Sequence, residues 1–248
     1  MLITVDIGNT DIVTVLFDEN KHIVKQDRIN LKSVLVNSNL DYFDNLFVEW
    51  NLKNINYIVA CVVPDILKSV EDKFLELSNA RGIILESHML PNFTNDKSEV
   101  GTDLIAVSFP FRKEAIPTVV VDMGSASKII LVLDGQLKSV AIMLGVQNTM
   151  LALASRIKHL PEVKLEFPDE LLGETTVTAI QAGLMYSQAY GIRGYVDEIE
   201  QSLKQPIKRI LTGGIGAIFK DKLTEFTYEP TLLNDGLYAI YQEVIQND

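Results

Sequence analysis

The sequence predicts a duplicated α/β fold, two halves of like order each built on a mixed sheet, and three observations carry that prediction. The stretch "VDIGNTDIVTVLFDE" from Val5 returns as "VDMGSASKIILVLDG" from Val121, with Val, Asp, Gly and a closing Asp in register and most other positions exchanged like for like. Each copy opens a triplet of short strands separated by turn residues. Each triplet is then followed by apolar residues at helical spacing and by further strands. A chain of 248 residues accommodates two small cores, expected over 1–115 and 116–248.

From Leu2 the order is strand, turn at "GNT", strand "DIVTVLF", turn "DEN", and a third strand around His22 to Arg28. Leu40, Phe43, Phe47 and Trp50 recur at helical spacing, "INYIVAC" is a strand, and Leu67, Val70, Phe74 and Leu77 mark a helix before "GIILE". Helices laid on a twisted mixed sheet in this βββαβαβ order make an α/β layer fold of the ribonuclease-H type. The second half restarts at Thr118 with "TVVVDMGSAS", "KIILVLDG" and "LKSVAIML". A helix from about Val146, a longer one from about Thr176, the strand "IKRIL", a turn "TGG", another helix and a strand near Phe226 follow. The last segment places Leu237, Ile240, Tyr241 and Val244 on one face, a closing amphipathic helix. Two polar or Pro-containing connections, "HMLPNFTNDKSEVGTDL" and "EAIPT", are expected to form a cleft wall and a hinge.

Composition narrows the function classes. Hydrophobic residues make up 47% and charged ones 22%, the balance of an ordinary globular protein. A formal charge of −11 argues against a nucleic-acid partner, which needs clustered Lys and Arg. Phosphate must then be held locally, by backbone amides and a divalent metal. The single Cys61, in the apolar run "YIVACVVP", reads as a packing residue. No basic leader precedes the first apolar run, and no run reaches the ~20 residues of a membrane span, so a cytoplasmic location with no membrane partner is expected. His22, His88 and His159 lack ligand spacing, and no nucleophile elbow is present.

The repeated phrase has a chemical use. In each half an Asp at the end of a strand precedes a Gly-containing turn, which offers backbone N–H groups and hydroxyls to phosphate oxygens. Gly8 and Gly124 allow close approach, Asn9 and Thr10, or Ser125 and Ser127, can donate hydrogen bonds, and Asp6 can hold a hydrated Mg²⁺. A single such turn is more often a plain hairpin, but two copies in equivalent places favour a pair that grips a triphosphate. In "LTGGIGAIF", Gly213 and Gly214 stand between a strand and a helix, where an adenosine could lie against the backbone.

"DIGNT", "DMGSAS" and "LTGGIG", in this order, resemble the acetate and sugar kinase, Hsp70 and actin superfamily, whose members carry two ribonuclease-H-like (actin-like ATPase) domains. With "CVVP", "EVGTDLIA", "HLPEV" and "GETT...AIQAG" added, the chain is similar from end to end to the type III pantothenate kinases. That resemblance implies a homodimeric transferase that moves the γ-phosphate of ATP to the primary hydroxyl of pantothenate. The product is 4'-phosphopantothenate, the first step of coenzyme A biosynthesis, made with Mg²⁺ and a monovalent cation, K⁺ or NH₄⁺. By the same resemblance Asp6, Asn9 and Thr10 serve phosphates and metal, Asp122 the monovalent cation, and Gly124 and Ser125 the second phosphate turn. Asp103 is then the general base, with Gly101, Thr102 and Thr176 beside the substrate, and the glycine-bearing helix around Gly183, Gly191 and Gly194 lies in the dimer contact. Asp103 follows Gly101 and Thr102 at an expected helix start, where the dipole favours the ionised form; by itself it reads as an ordinary first-turn acid. Glycine costs about 1 kcal/mol in a helix interior, so close packing against a neighbour is a motive for these three, unless one of them ends the helix.

The acceptor side departs from the family pattern. An arginine after the catalytic aspartate is here Leu104, a tyrosine of the substrate-side loop is Thr94 or shifted to Phe93, a Pro-Gly is Leu144-Gly145, and a threonine is Ile157. Arg112 is the next cation along the chain. Loss of one charge-assisted hydrogen bond weakens binding about ten- to a hundred-fold, so reduced pantothenate affinity or a different acceptor is expected. A regulatory relative that keeps the fold without catalysis, and a kinase for another small molecule, stay open at this point.

Overall fold

Each half builds one five-stranded mixed sheet, and the two sheets have the same topology in the computed structural model, which describes residues 1–35, 40–94 and 99–247. In the first, β1 (Leu2–Ile7) pairs antiparallel with β2 (Asp11–Phe17), which pairs antiparallel with β3 (Ile23–Asn30). On its other edge β1 runs parallel to β4 (Asn56–Cys61), which runs parallel to β5 (Gly82–Ile84). The order is β3-β2-β1-β4-β5. In the second, β6 (Thr118–Met123), β7 (Ala126–Leu133) and β8 (Gln136–Leu144) form the antiparallel meander, while β9 (Lys208–Thr212) and β10 (Thr227–Tyr228) add parallel strands to β6. Its order, β10-β9-β6-β7-β8, is the first sheet again, strand for strand.

The central strands explain their own position. Ile3, Val5 and Ile7 in β1, and Val119, Val121 and Met123 in β6, are fully buried, as strands covered on both faces require. By contrast β3 carries Lys25, Gln26, Asp27 and Arg28 and stays mostly exposed, which suits an edge strand. The helices between are α1 (Leu31–Leu35), α2 (Asp41–Glu49), α3 (Pro64–Leu77), α4 (Pro91–Thr94) and α5 (Thr102–Ser108). Proline at the first position of α3 starts it at no hydrogen-bonding cost. Phe74 of α3 meets Phe43 of α2 at 4.9 Å between ring centroids and Tyr57 of β4 at the same distance, the centre of the first core. In the second half α6 (Val146–Arg156) and α7 (Thr176–Leu203) bury Met150, Met185, Ala189 and Ile192 against β6 and β7, and α8 (Gly216–Phe219) adds Phe219.

By internal contacts the chain divides into two compact units. The first is Met1–Pro110 together with the closing helix α9 (Leu232–Asn247), and the second is Phe111–Thr231. The boundary expected from sequence counted α9 with the second half. Here it packs on β1 and α5 of the first: Thr4 Oγ1 donates to Asn234 Oδ1 at 2.8 Å inside the core, and Tyr238 meets Phe17 edge-on at 5.2 Å. An amphipathic pattern reveals that a helix has a buried face but not which sheet buries it. Of the connection read as a cleft wall, residues 95–98 lie outside the described residues. Its start is core instead, with Phe93 buried against Phe109 at 5.2 Å and Thr94 Oγ1 donating to the Leu90 carbonyl at 3.1 Å.

Candidate active site

In the first unit the residues singled out from the sequence lie at the carboxyl ends of β1 and β4. Gly8, Asn9 and Thr10 span the gap between β1 and β2, and the turn closes through Gly8 N–H donating to the Asp11 carbonyl at 3.0 Å. Asn9 and Thr10 are exposed at its tip. The Thr10 carbonyl accepts from Leu31 N–H at 2.7 Å, and Asp11 is held by Arg28 at 3.3 Å, so the turn is braced from behind. Asp6, half-buried, lies opposite Ala60 in the parallel pairing. Burial pushes the Cys61 thiol up, and the Asp6 carboxylate pushes it further. A thiol so placed stays protonated, in keeping with a packing role.

Asp103 arrives at the same strand ends by a different route. Gly101 caps α5, Thr102 Oγ1 donates to the Cys61 carbonyl at 3.4 Å, and Cys61 is the β4 partner of Ile7. Asp103 Oδ1 accepts from Leu104 N–H at 2.8 Å, which fixes the carboxylate in the first turn. Gly101, Thr102, Asp103 and Asp6 thus share one end of one sheet.

In the second unit the equivalent turn is Gly124–Ser125, closed by Gly124 N–H donating to the Ala126 carbonyl at 3.0 Å. The Ser125 carbonyl accepts from Gly145 N–H at 3.1 Å and from Asn148 Nδ2 at 2.8 Å. A methyl at Gly145 would lie 2.2 Å from the Gly124 carbonyl, so α6 abuts the turn directly. The sequence offers Gly145 only as half of the Leu144-Gly145 departure and gives no sign of Asn148; the signal available is a glycine that follows β8 just ahead of a helix. From the other side, Gly213 has φ +89° and a methyl there would meet the Met123 carbonyl at 2.4 Å. Ile215 N–H donates to the same carbonyl at 3.1 Å, and Gly214 is exposed beside it.

Two differences between the copies matter. The structure separates the two serines: Ser125 is exposed, whereas Ser127 is 1% exposed, and its hydroxyl, with no hydrogen-bond partner among the described residues, is not presented to a ligand as the sequence suggested. Asp122, the counterpart of Asp6, is buried and its Oδ2 accepts from Lys128 Nζ at 3.0 Å.

Gly8 and Gly124 share a property that Gly145 and Gly213 lack. A methyl at Gly8 would stand 3.4 Å from its nearest neighbour and one at Gly124 3.8 Å, ordinary contact distances. The chain's own packing therefore does not require glycine at either place.

The expected acceptor residues are divided between the two units. Thr176 is exposed at the first position of α7, beside the capping pair Thr175 and Thr178, in the second unit, while Asp103 is in the first. Leu104 is half-buried. Arg112 falls in the second unit, its carbonyl 3.1 Å from the ideal Cβ position of Gly135, and Leu144 and Ile157 are exposed. No group of three or more His, Cys, Asp or Glu side chains gathers in metal-binding geometry among the described residues. A divalent ion would draw its remaining ligands from phosphate and water, and Asp6 with the exposed oxygens of Asn9 and Thr10 is a donor set that suits Mg²⁺.

The description of the type III pantothenate kinases matches residues 2–198. The chain belongs to that family. Among curated type III pantothenate kinases, one from Agathobacter rectalis is 26% identical over 254 residues, covering 98% of this chain and 97% of its own length. Another, from Bifidobacterium animalis subsp. lactis, is 29% identical over 253 residues, covering 97% and 98%. Beyond the family, the crystal structure of MreB 5 of Spiroplasma citri bound to AMPPNP superposes with a TM-score of 0.54 at 10% identity, over 99% of this chain and 97% of that one. It shares the actin-like ATPase fold with this type III pantothenate kinase family member, as the two matching sheets anticipate. None of the helices among the described residues is long and apolar enough to cross a membrane.

Proposed function

We propose that this family member phosphorylates the primary hydroxyl of pantothenate with ATP, the first step of coenzyme A biosynthesis. The observation that carries the reading is the pair of equivalent turns whose glycines the protein itself does not need. The N–H of each glycine closes its own turn, and the absence of a side chain there lets phosphate oxygens come close to the backbone beside it. In this reading Gly8, Asn9 and Thr10 hold phosphate in the first turn, Gly124 and Ser125 in the second, and Gly213 and Gly214 border the adenosine. Mg²⁺, when bound with ATP, supplies charge neutralisation at the phosphates, with Asp6 as its protein ligand. Asp103, in the first turn of α5, accepts the hydroxyl proton as the oxygen attacks. Thr176 contacts the substrate, and Leu104 leaves the acceptor without the arginine that the family resemblance implies, so pantothenate binding is weakened about ten- to a hundred-fold.

A coupled ADP-release assay tests this. Turnover with pantothenate at elevated KM is expected; ATP binding without turnover on pantothenate, but with another hydroxyl acceptor, would replace the substrate assignment.

The active species is a homodimer with α7 at its interface. Gly183, Gly191 and Gly194 all lie inside the 28-residue helix, none of them ends it, and a methyl on any of the three would meet nothing within 4 Å. Tyr190 and Tyr195, half-exposed, flank Gly191 and Gly194. Gly194→Glu is expected to shift sedimentation from a dimer mass to a monomer mass; an unchanged mass would place the interface elsewhere.

A further inference from the structure

The monovalent cation that the family resemblance implies does not fit Asp122 in this chain. Asp122 on β6 and Lys128 on β7 are directly opposite in the antiparallel pairing, so their side chains share one face of the sheet. Lys128 Nζ reaches Asp122 Oδ2 at 3.0 Å, and the two side chains are only 18% and 13% exposed. On its other side Asp122 Oδ1 lies 2.7 Å from where a Gly213 methyl would be, so the β9–α8 loop closes against it. A metal ion approaching Asp122 would have to displace a sheltered ammonium of the same charge, already bonded to the oxygen it needs.

We infer that the ammonium of Lys128 is the resident monovalent charge beside the second phosphate turn, and that this protein works without added K⁺ or NH₄⁺. An ammonium is a compact point charge with three donors, able to neutralise a buried carboxylate as a bound monovalent ion would. The strand fixes it in place. Because Asp122 sits between the Gly124–Ser125 turn and Gly213, its neutralisation governs the shape of both.

The inference rests on the ATP-binding reading for its functional half but can be tested without nucleotide. Thermal unfolding of the wild type and of Lys128→Met is compared in choline chloride and in KCl at equal ionic strength, with and without Mg²⁺ and a non-hydrolysable ATP analogue, whose Kd is read by calorimetry. The wild type is expected to show the same Tm and Kd in both salts. Lys128→Met is expected to lose Tm in choline, to bind the analogue about tenfold more weakly there, and to recover both in KCl as the ion takes the vacated place. Lys128→Arg keeps the charge and is expected to stay indifferent to K⁺. In the double variant Asp122→Asn/Lys128→Met the K⁺ response disappears. A K⁺-dependent Tm or Kd in the wild type overturns the inference. So does a Lys128→Met variant that K⁺ fails to rescue, the mark of a purely structural ion pair. Absence of analogue binding in every salt would instead overturn the ATP reading, with the Tm comparison still deciding on Lys128.

Discussion

Asp103→Asn is expected to lower pantothenate-dependent ADP release by about 10²- to 10⁴-fold while changing the nucleotide Kd by less than about threefold. The substitution is close to isosteric, and the Asn amide oxygen can still accept from Leu104 N–H, the bond that Asp103 Oδ1 makes at 2.8 Å. The α5 turn, the Thr102 tether to the Cys61 carbonyl and the geometry around Asp6 are therefore kept. What is lost is a site able to take a proton, because an amide oxygen is far too weak a base. Rapid-quench and steady-state kinetics together separate the two effects: a fall in kcat with an unchanged nucleotide Kd identifies the proton acceptor. A variant that retains more than about a tenth of the activity would remove Asp103 from that role. Loss of nucleotide binding would mean that the carboxylate serves the metal or the phosphates, as Asp6 is expected to.

The fold was legible because its evidence is repeated. Val5–Asp6 and Val121–Asp122 announce two central strands, and the same three-strand opening on each predicts the same sheet order, which β3-β2-β1-β4-β5 and β10-β9-β6-β7-β8 realise. Placement of α9 was not legible. Leu237, Ile240 and Tyr241 declare a buried face, yet the partner face on β1 and α5 lies more than a hundred residues earlier, and nothing local encodes that pairing. The turns of the candidate site were visible as glycine and hydroxyl residues after an Asp, but their bracing was not. Asn148 looks like any polar residue of a first helical turn until its Nδ2 is found on the Ser125 carbonyl. Ser127 and Ser125 are indistinguishable by type; what separates them is where β7 begins, with Ser125 in the turn ahead of it and Ser127 inside the strand on a buried face. Lys128 was hidden for a related reason, since a lysine in a strand reads as solvated surface unless the register opposite it is known.

Gly213→Ala is expected to weaken nucleotide binding by at least about tenfold and to destabilise the fold by about 1–3 kcal/mol. Two independent strains coincide there. A φ of +89° is a conformation that alanine adopts only at a cost, and the added methyl would lie 2.4 Å from the Met123 carbonyl and 2.7 Å from Asp122 Oδ1. Both clashing groups are fixed, the carbonyl by Ile215 N–H at 3.1 Å and the carboxylate by Lys128, so the loop has to move rather than the neighbour. Movement of that loop carries Gly214 with it and disturbs the end of β6, where the Gly124–Ser125 turn begins. Gly124→Ala is the informative comparison. Its methyl meets only the Ala126 carbonyl at 3.8 Å, so urea unfolding is expected to give the wild-type midpoint and m value, while calorimetry shows the analogue bound about tenfold more weakly. A glycine required by the protein and a glycine required by its ligand are thereby told apart: the first costs stability and binding together, the second binding alone. If Gly124→Ala binds the analogue as tightly as the wild type, no phosphate lies against that turn, and the case for twin phosphate-binding turns loses one of its two members.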